Sequence, residues 1–252
     1  MAEERRTAIV TGSGRNIGRA VAIQLARDGL NVVVNGSTDK GACERTATDA
    51  EAHGAGAHGV EALVAMGDVG EKADAERIAA QAIERFGAVD VLVNNAAIRP
   101  MHPFLEMPED EWDRVIAVDL MAAVWLARAC LPGMLANGWG RIVNVAGMNA
   151  IQGYSGRAHV SVAKHGAWGL TKSLAKEFGP KGVTCNIISP GPIKGERADP
   201  EMAAHIESMV SKVPVGRLGE PQEIAAAISM LASDAGAFVN GQMIQVNGGA
   251  QT

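Results

Sequence analysis

Seven short apolar runs punctuate this chain, at residues 7–10, 31–35, 59–66, 89–94, 140–146, 183–189 and 242–246. They are near-continuously apolar rather than alternating with polar residues, as expected of strands covered on both faces. Between them lie stretches with helical spacing at 17–28, 40–53, 71–86, 109–137, 157–178 and 221–233. Apolar strands separated by helices leave few architectures open, and the pattern predicts an α/β fold with a doubly wound parallel sheet. No repeat, low-complexity tract or Pro/Gly linker divides the chain, so residues 1–252 are read as one domain. The longest irregular stretch, 190–200, follows a predicted strand and opens an expected substrate loop near 190–212. In such sheets, ligands sit outside the carboxyl ends of the strands.

Composition narrows the function classes. A formal net charge of −5 and the lack of a dense Lys/Arg cluster argue against a nucleic-acid partner. Cys43, Cys130 and Cys185 are odd in number and form no C-x-x-C pair, so they read as buried thiols in a reducing compartment, with no metal site expected. The first ten residues hold charges but no apolar run sufficient for a secretory leader. No segment is expected to reach membrane-spanning length, and a cytoplasmic protein is the expectation.

Thr11-Gly12-Ser13-Gly14-Arg15-Asn16-Ile17-Gly18 follows the first strand and opens the first helix. Glycines there let the backbone approach a pyrophosphate, and the helix N-terminus offers free N–H groups and a positive dipole end. A tight strand-to-helix turn would use the same residues. Further turn motifs follow later strands: Asp68-Val69, Asn94-Asn95-Ala96-Ala97, Ser189-Pro190-Gly191, and the segments 216–221 and 247–249.

In joint order these motifs resemble the short-chain dehydrogenase/reductase family over nearly the whole chain. The resemblance implies a single-domain Rossmann-type fold binding NAD(P). The implied cofactor residues are Gly12, Ser13, Gly14, Arg15, Asn16, Ile17, Gly18, Ser37, Asp68, Val69, Asn95, Ala96, Ala97, Lys164, Pro190, Gly191 and Ile193. Asn16 stands at a family glycine position, a mild departure because Asn tolerates left-handed backbone. The second strand ends Val34-Asn35-Gly36-Ser37-Thr38, with no acid before Asp39 to chelate a ribose. Arg15 lies where many family members place a cation for a 2′-phosphate, so NADP is expected over NAD.

The reaction end departs from that family. Its usual Asn, Ser, Tyr and Lys correspond here to Asp119, Gly147, Val160 and Lys164, and Gly195 replaces a frequent threonine. A valine cannot donate a proton, and a general acid typically contributes roughly 10²–10⁴-fold in rate. Lys164 is the retained catalytic candidate. His159, adjoining the vacated position, and Asn149, in the loop after the fifth strand, are candidate replacements, with Tyr154 a weaker one. Consecutive helix residues point about 100° apart, so His159 need not face the site. Arg99, His102 and Arg157 could form an anion pocket for a carboxylate or acyl-CoA substrate, or be solvated loop residues.

Three functions remain open on the sequence: an NAD(P)-dependent oxidoreductase on an alcohol or carbonyl with a non-standard site; a catalytically silent subunit stabilising an active relative in a hetero-oligomer; or a non-redox enzyme, such as a lyase or hydrolase, reusing the pocket. The apolar helices at 109–137 and 157–178 are the family's assembly surfaces, implying a homo-tetramer or dimer.

Overall fold

The computed structural model describes residues 5–54, 59–195 and 208–251, apart from the side chains of 149 and 150. Seven strands form one sheet: β1 (Thr7–Val10), β2 (Asn31–Gly36), β3 (Ala62–Met66), β4 (Val91–Asn94), β5 (Gly140–Val145), β6 (Val183–Pro190) and β7 (Met243–Val246). Their order is β3-β2-β1-β4-β5-β6-β7. Every neighbouring pair is parallel, with Ala8 opposite both Val32 and Val91.

Successive strand residues point to opposite faces, and both faces are buried. Ala8, Val10, Val32, Val34, Val91 and Val93 join one core cluster; Ile9, Val33 and Leu92 join the other. The first cluster is closed by helices α1 (Asn16–Arg27), α2 (Lys40–Gly54) and α8 (Pro221–Ala232). The second is closed by α3 (Lys72–Phe86), α5 (Ala122–Ala136) and the end of α7 (Ala158–Phe178). The predicted doubly wound parallel sheet is therefore observed.

Four details differ from expectation. The third strand begins at Ala62, not 59: Glu61 N–H donates to the Asn31 side chain at 3.1 Å, and Val60 packs into the core before the ladder starts. The helix predicted over 109–137 is α4 (Glu109–Ile116) and α5 joined by a π-turn at Ala117–Met121. That continuous run, Glu109–Ala136, is also long and apolar enough to cross a membrane, contrary to the expectation that no segment is; half of its most apolar stretch is buried inside the protein. A short helix, α6 (Asn149–Gln152), lies where only a loop was expected. The middle of the predicted substrate loop, 196–207, lies outside the described residues.

In this strand order the chain turns outward in both directions from the boundary of β1 and β4, the switch point of a doubly wound sheet. Thr11 ties the two loops there. Its hydroxyl accepts from the N–H groups of Asn95 and Ala96 at 2.9 and 3.0 Å, while the Asn95 amide donates back to Thr11 and Gly12 carbonyls at 2.9 and 3.1 Å. Thr11→Val keeps the shape and removes the acceptor. With an unpaired donor costing about 1–3 kcal/mol, urea denaturation should show a loss of roughly 2–4 kcal/mol. An unchanged midpoint would refute this assignment.

Candidate active site

A cavity of about 920 Å³ lies along the carboxyl ends of the strands, within the size range of small-molecule and cofactor sites. It runs from the loop after β2, at Asn35 to Asp39, across the glycine loop to Gly147, Met148, Tyr154 and Arg157 beyond β5.

At the first end the backbone is shaped for a phosphate. Gly12 has φ +61°, and Asn16 has φ +50°, the one positive value outside glycine among the described residues. A Cβ on Gly18 would lie 2.4 Å from the Gly12 carbonyl oxygen and 2.6 Å from the Asn95 amide nitrogen, so no other residue fits without displacing the loop. Arg15 is the N-cap of α1, and its side chain makes no capping hydrogen bond. First-turn N–H groups left this way suit an incoming anion, as the diphosphate of a dinucleotide would be.

Most residues predicted for the cofactor line this cavity: Arg15, Ser37, Asp68, Val69 and the Asn95–Ala97 turn, together with Pro190, Gly191, Ile193 and the glycine loop. Ser13 does not. Its hydroxyl is fully buried, donating to the Val10 carbonyl at 2.7 Å and accepting from Asn35 N–H at 3.0 Å, so it holds the loop and faces no ligand. Asn35, where an acid would select NAD, is spent internally: its oxygen accepts from Gly12 N–H at 3.3 Å and its amide donates to Ala65 and Gly67 at 3.0 and 3.1 Å. Asp68 pairs with Arg114 from α4, a partner with no local signal in the sequence.

At the second end Lys164 and Asp119 form a buried ion pair, Nζ to Oδ2 at 3.1 Å, with side chains 3% and 0% exposed. The π-turn places Asp119; such turns recur at functional sites. Its Oδ1 accepts from Ile98 N–H at 2.8 Å, and Lys164 also donates to the Val145 carbonyl at 3.2 Å. Burial pushes the Lys164 pKa below the ordinary lysine value; the Asp119 charge and hydrogen bond oppose this, while the Arg99 charge adds to it. Lys164 lies behind the main cavity, lining a void of about 10 Å³ with Thr11, Asn94, Asn144 and Asp119.

Val160 is 1% exposed and packs with Val115 and Ala163, with Ile98, Ile116 and Leu120 around them, while also bordering the cavity. Gly147 has φ +116°. A Cβ there would meet nothing within 4 Å, so the barrier to serine is backbone strain of about 1–3 kcal/mol, not space.

The expectation for His159 needs correcting. Its side chain is fully buried, stacked on Trp112 at 6.0 Å with Nε2 3.3 Å from Glu111, and it does not line the cavity. His102, expected in an anion pocket, instead reaches the other oxygen of Glu111 at 3.2 Å. Glu111 thus clips the loop after β4 to α7, a pairing the sequence did not suggest. The side chain of Asn149 lies outside the described residues. Tyr154, Arg157 and Arg99 do face the cavity, with the Arg157 guanidinium 4.9 Å from the Tyr154 ring centre.

Comparison with known proteins agrees with this architecture. Residues 12–251 match the family model described as enoyl-(acyl carrier protein) reductase. The chain is 35% identical over 244 residues to a 3-oxoacyl-(acyl-carrier-protein) reductase of Staphylococcus epidermidis, covering 97% of this chain and 98% of that one. It is 38% identical over 248 residues to an L-rhamnose 1-dehydrogenase (NAD(P)+) of Azotobacter vinelandii, covering 97% and 96%. A glycine loop at the sheet's switch point, its companion turns in order, and full-length similarity to such oxidoreductases place the chain in the short-chain dehydrogenase/reductase family.

Proposed function

We propose that this protein is an NAD(P)-dependent oxidoreductase interconverting an alcohol and a carbonyl through a non-standard active site. The observation that carries this reading is the single cavity joining a phosphate-shaped loop to Tyr154, Arg99 and Arg157. A bound nicotinamide would supply or accept the hydride. Lys164, held by Asp119 behind the cavity wall, would reach the cofactor's ribose only by turning its ammonium from the Val145 carbonyl; Tyr154 replaces the phenol missing at 160 as hydrogen-bond and proton donor to the substrate oxygen. Asn149 is retained as a second polar candidate on the strength of its place at the start of α6. The relatives' substrates, 3-oxoacyl thioesters and L-rhamnose, are the starting panel for NADPH- and NADH-linked turnover.

A second reading, a silent subunit that binds nucleotide and supports an active relative, is favoured by the way Val160 is built into an apolar cluster and Gly147 into a glycine-only conformation. Cofactor binding without turnover, and isolation always with a related chain, would select it. A non-redox enzyme draws support from no specific contact.

NADP is proposed over NAD because Arg15, exposed on the cavity wall, and Ser37 lie beside a β2 end that has no acid before Asp39, whose Oδ1 accepts from Ala42 N–H. Arg15→Ala should weaken NADPH binding roughly tenfold, the worth of one charge-assisted hydrogen bond, and leave NADH nearly unchanged. Equal losses for both cofactors in calorimetry would refute the preference.

Tyr154→Phe should lower kcat about a hundredfold with unchanged cofactor affinity, in the range of a lost general acid. His159→Ala should instead lower the melting temperature and change kcat little, since it empties a buried, Glu111-bonded position. The opposite pattern would return catalysis to the histidine.

Assembly as a homo-dimer or tetramer through α5 and α7 is proposed from Trp125 and Trp168, only partly buried, and Val162, half exposed. Sedimentation equilibrium should show an oligomer that Val162→Glu weakens; a monomeric native chain would end this proposal.

A further inference from the structure

We infer that Arg99 and Arg157 together form the receptor for an oxyanion on the substrate, so that the molecule turned over is a carboxylate or a phosphate monoester and not a neutral alcohol or sugar. The two guanidinium groups come from different elements, Arg99 from the loop after β4 and Arg157 from the N-cap of α7. Both line the second end of the cavity, beside Gly147, Met148 and Val160.

Among the described residues neither has a salt-bridge partner. None of the thirteen ion pairs among the described residues involves Arg99 or Arg157. Arg157 stacks on Tyr154, and its Nε is buried without a hydrogen-bond acceptor. Leaving such a donor unmet is costly unless a ligand completes it. The nearby acids are already committed: Asp119 to Lys164, and Glu111 to His102 and His159. Asp39 and Asp68, which also line the cavity, belong to its other end, where Asp39 caps Ala42 and Asp68 pairs with Arg114.

The two cations also act on each other. Arg99 is exposed on the cavity wall, yet the protein packed around it still desolvates it and lowers its pKa from the ordinary value; Asp119 opposes this and the charge of Arg157 adds to it. Arginine nevertheless stays protonated at neutral pH. Two like charges facing one cavity, with the nearby Asp119 already paired to Lys164, form an arrangement that an oxyanion relieves, and planar guanidinium forks suit carboxylate and phosphate oxygens. The stack with Tyr154 would then set the bound anion beside the proposed proton donor.

That the bound anion is also the reacting substrate rests on the oxidoreductase reading; the binding itself does not, and calorimetry separates the two. The probes are acetoacetate, its uncharged methyl ester, and dihydroxyacetone phosphate, each titrated with and without saturating NADP+. Acetoacetate or dihydroxyacetone phosphate should bind at least tenfold more tightly than the ester, and the tighter of the two identifies the oxyanion. Arg99→Leu and Arg157→Leu should each remove tenfold or more of that affinity while NADP+ affinity stays constant. Arg157→Lys, keeping the charge but not the fork, should retain part of it. Equal binding of acid, phosphate and ester, or unaltered anion affinity in both folded leucine variants, would overturn the inference. Failure of NADP+ to bind while the anions still do would count against the oxidoreductase reading and leave the receptor standing.

Discussion

A sheet buried on both faces confines chemistry to its ends. Every strand interior from β1 to β6 contributes side chains to packed clusters, so polar groups can meet a ligand only where the strands stop. Four hydrogen bonds donated by Asn95 and Ala96 to Thr11 and Gly12 then turn the boundary between β1 and β4 into a fixed cleft. The glycine loop, the Asp68–Val69 turn and the far end of the cavity are all placed relative to that seam.

Beyond the seam, one carboxylate changes the logic of the site. Where the resemblance leads one to expect an asparagine, Asp119 puts a negative charge against Lys164 in full burial. A buried ammonium without a partner would be strongly disfavoured, and with the phenol gone from position 160 the carboxylate stabilises the charge that remains. Lys164 is thereby neutralised from behind, leaving Arg99 and Arg157 as the cations that face the cavity at this end. The charge balance at this end is thus set by the Asp119–Lys164 pair together with two arginines outside the four aligned positions.

Much of the architecture was readable because apolar runs such as Val32-Val33-Val34 admit hardly any other role, and because glycines at 12 and 18 stand at a strand-to-helix junction. Asn16 was legible as a left-handed residue from its place at a family glycine position and its tolerance of that backbone, and it adopts φ +50°. Sidedness and distant pairing were not legible. His159 and Val160 are neighbours on α7, yet one packs on Trp112 and Glu111 while the other borders the cavity. No spacing rule connects residue 159 with residue 111. Similarly, the π-turn that sets Asp119 leaves a seamless helical pattern in sequence, since one extra residue per turn barely disturbs apolar periodicity. An anion pocket of Arg99, His102 and Arg157 was one of two readings open on the sequence; the fold brings the two arginines to one cavity and turns His102 to Glu111.

Gly147 carries a consequence for how such a site can change over time. With φ at +116°, its backbone has settled where only glycine is comfortable, although there is open space for a side chain. Serine in its place would meet a conformational penalty before any benefit from the hydroxyl, and position 160 would still hold a valine. A serine at 147 and a phenol at 160 would therefore each be of little use alone: main chain and side chains would have to change together.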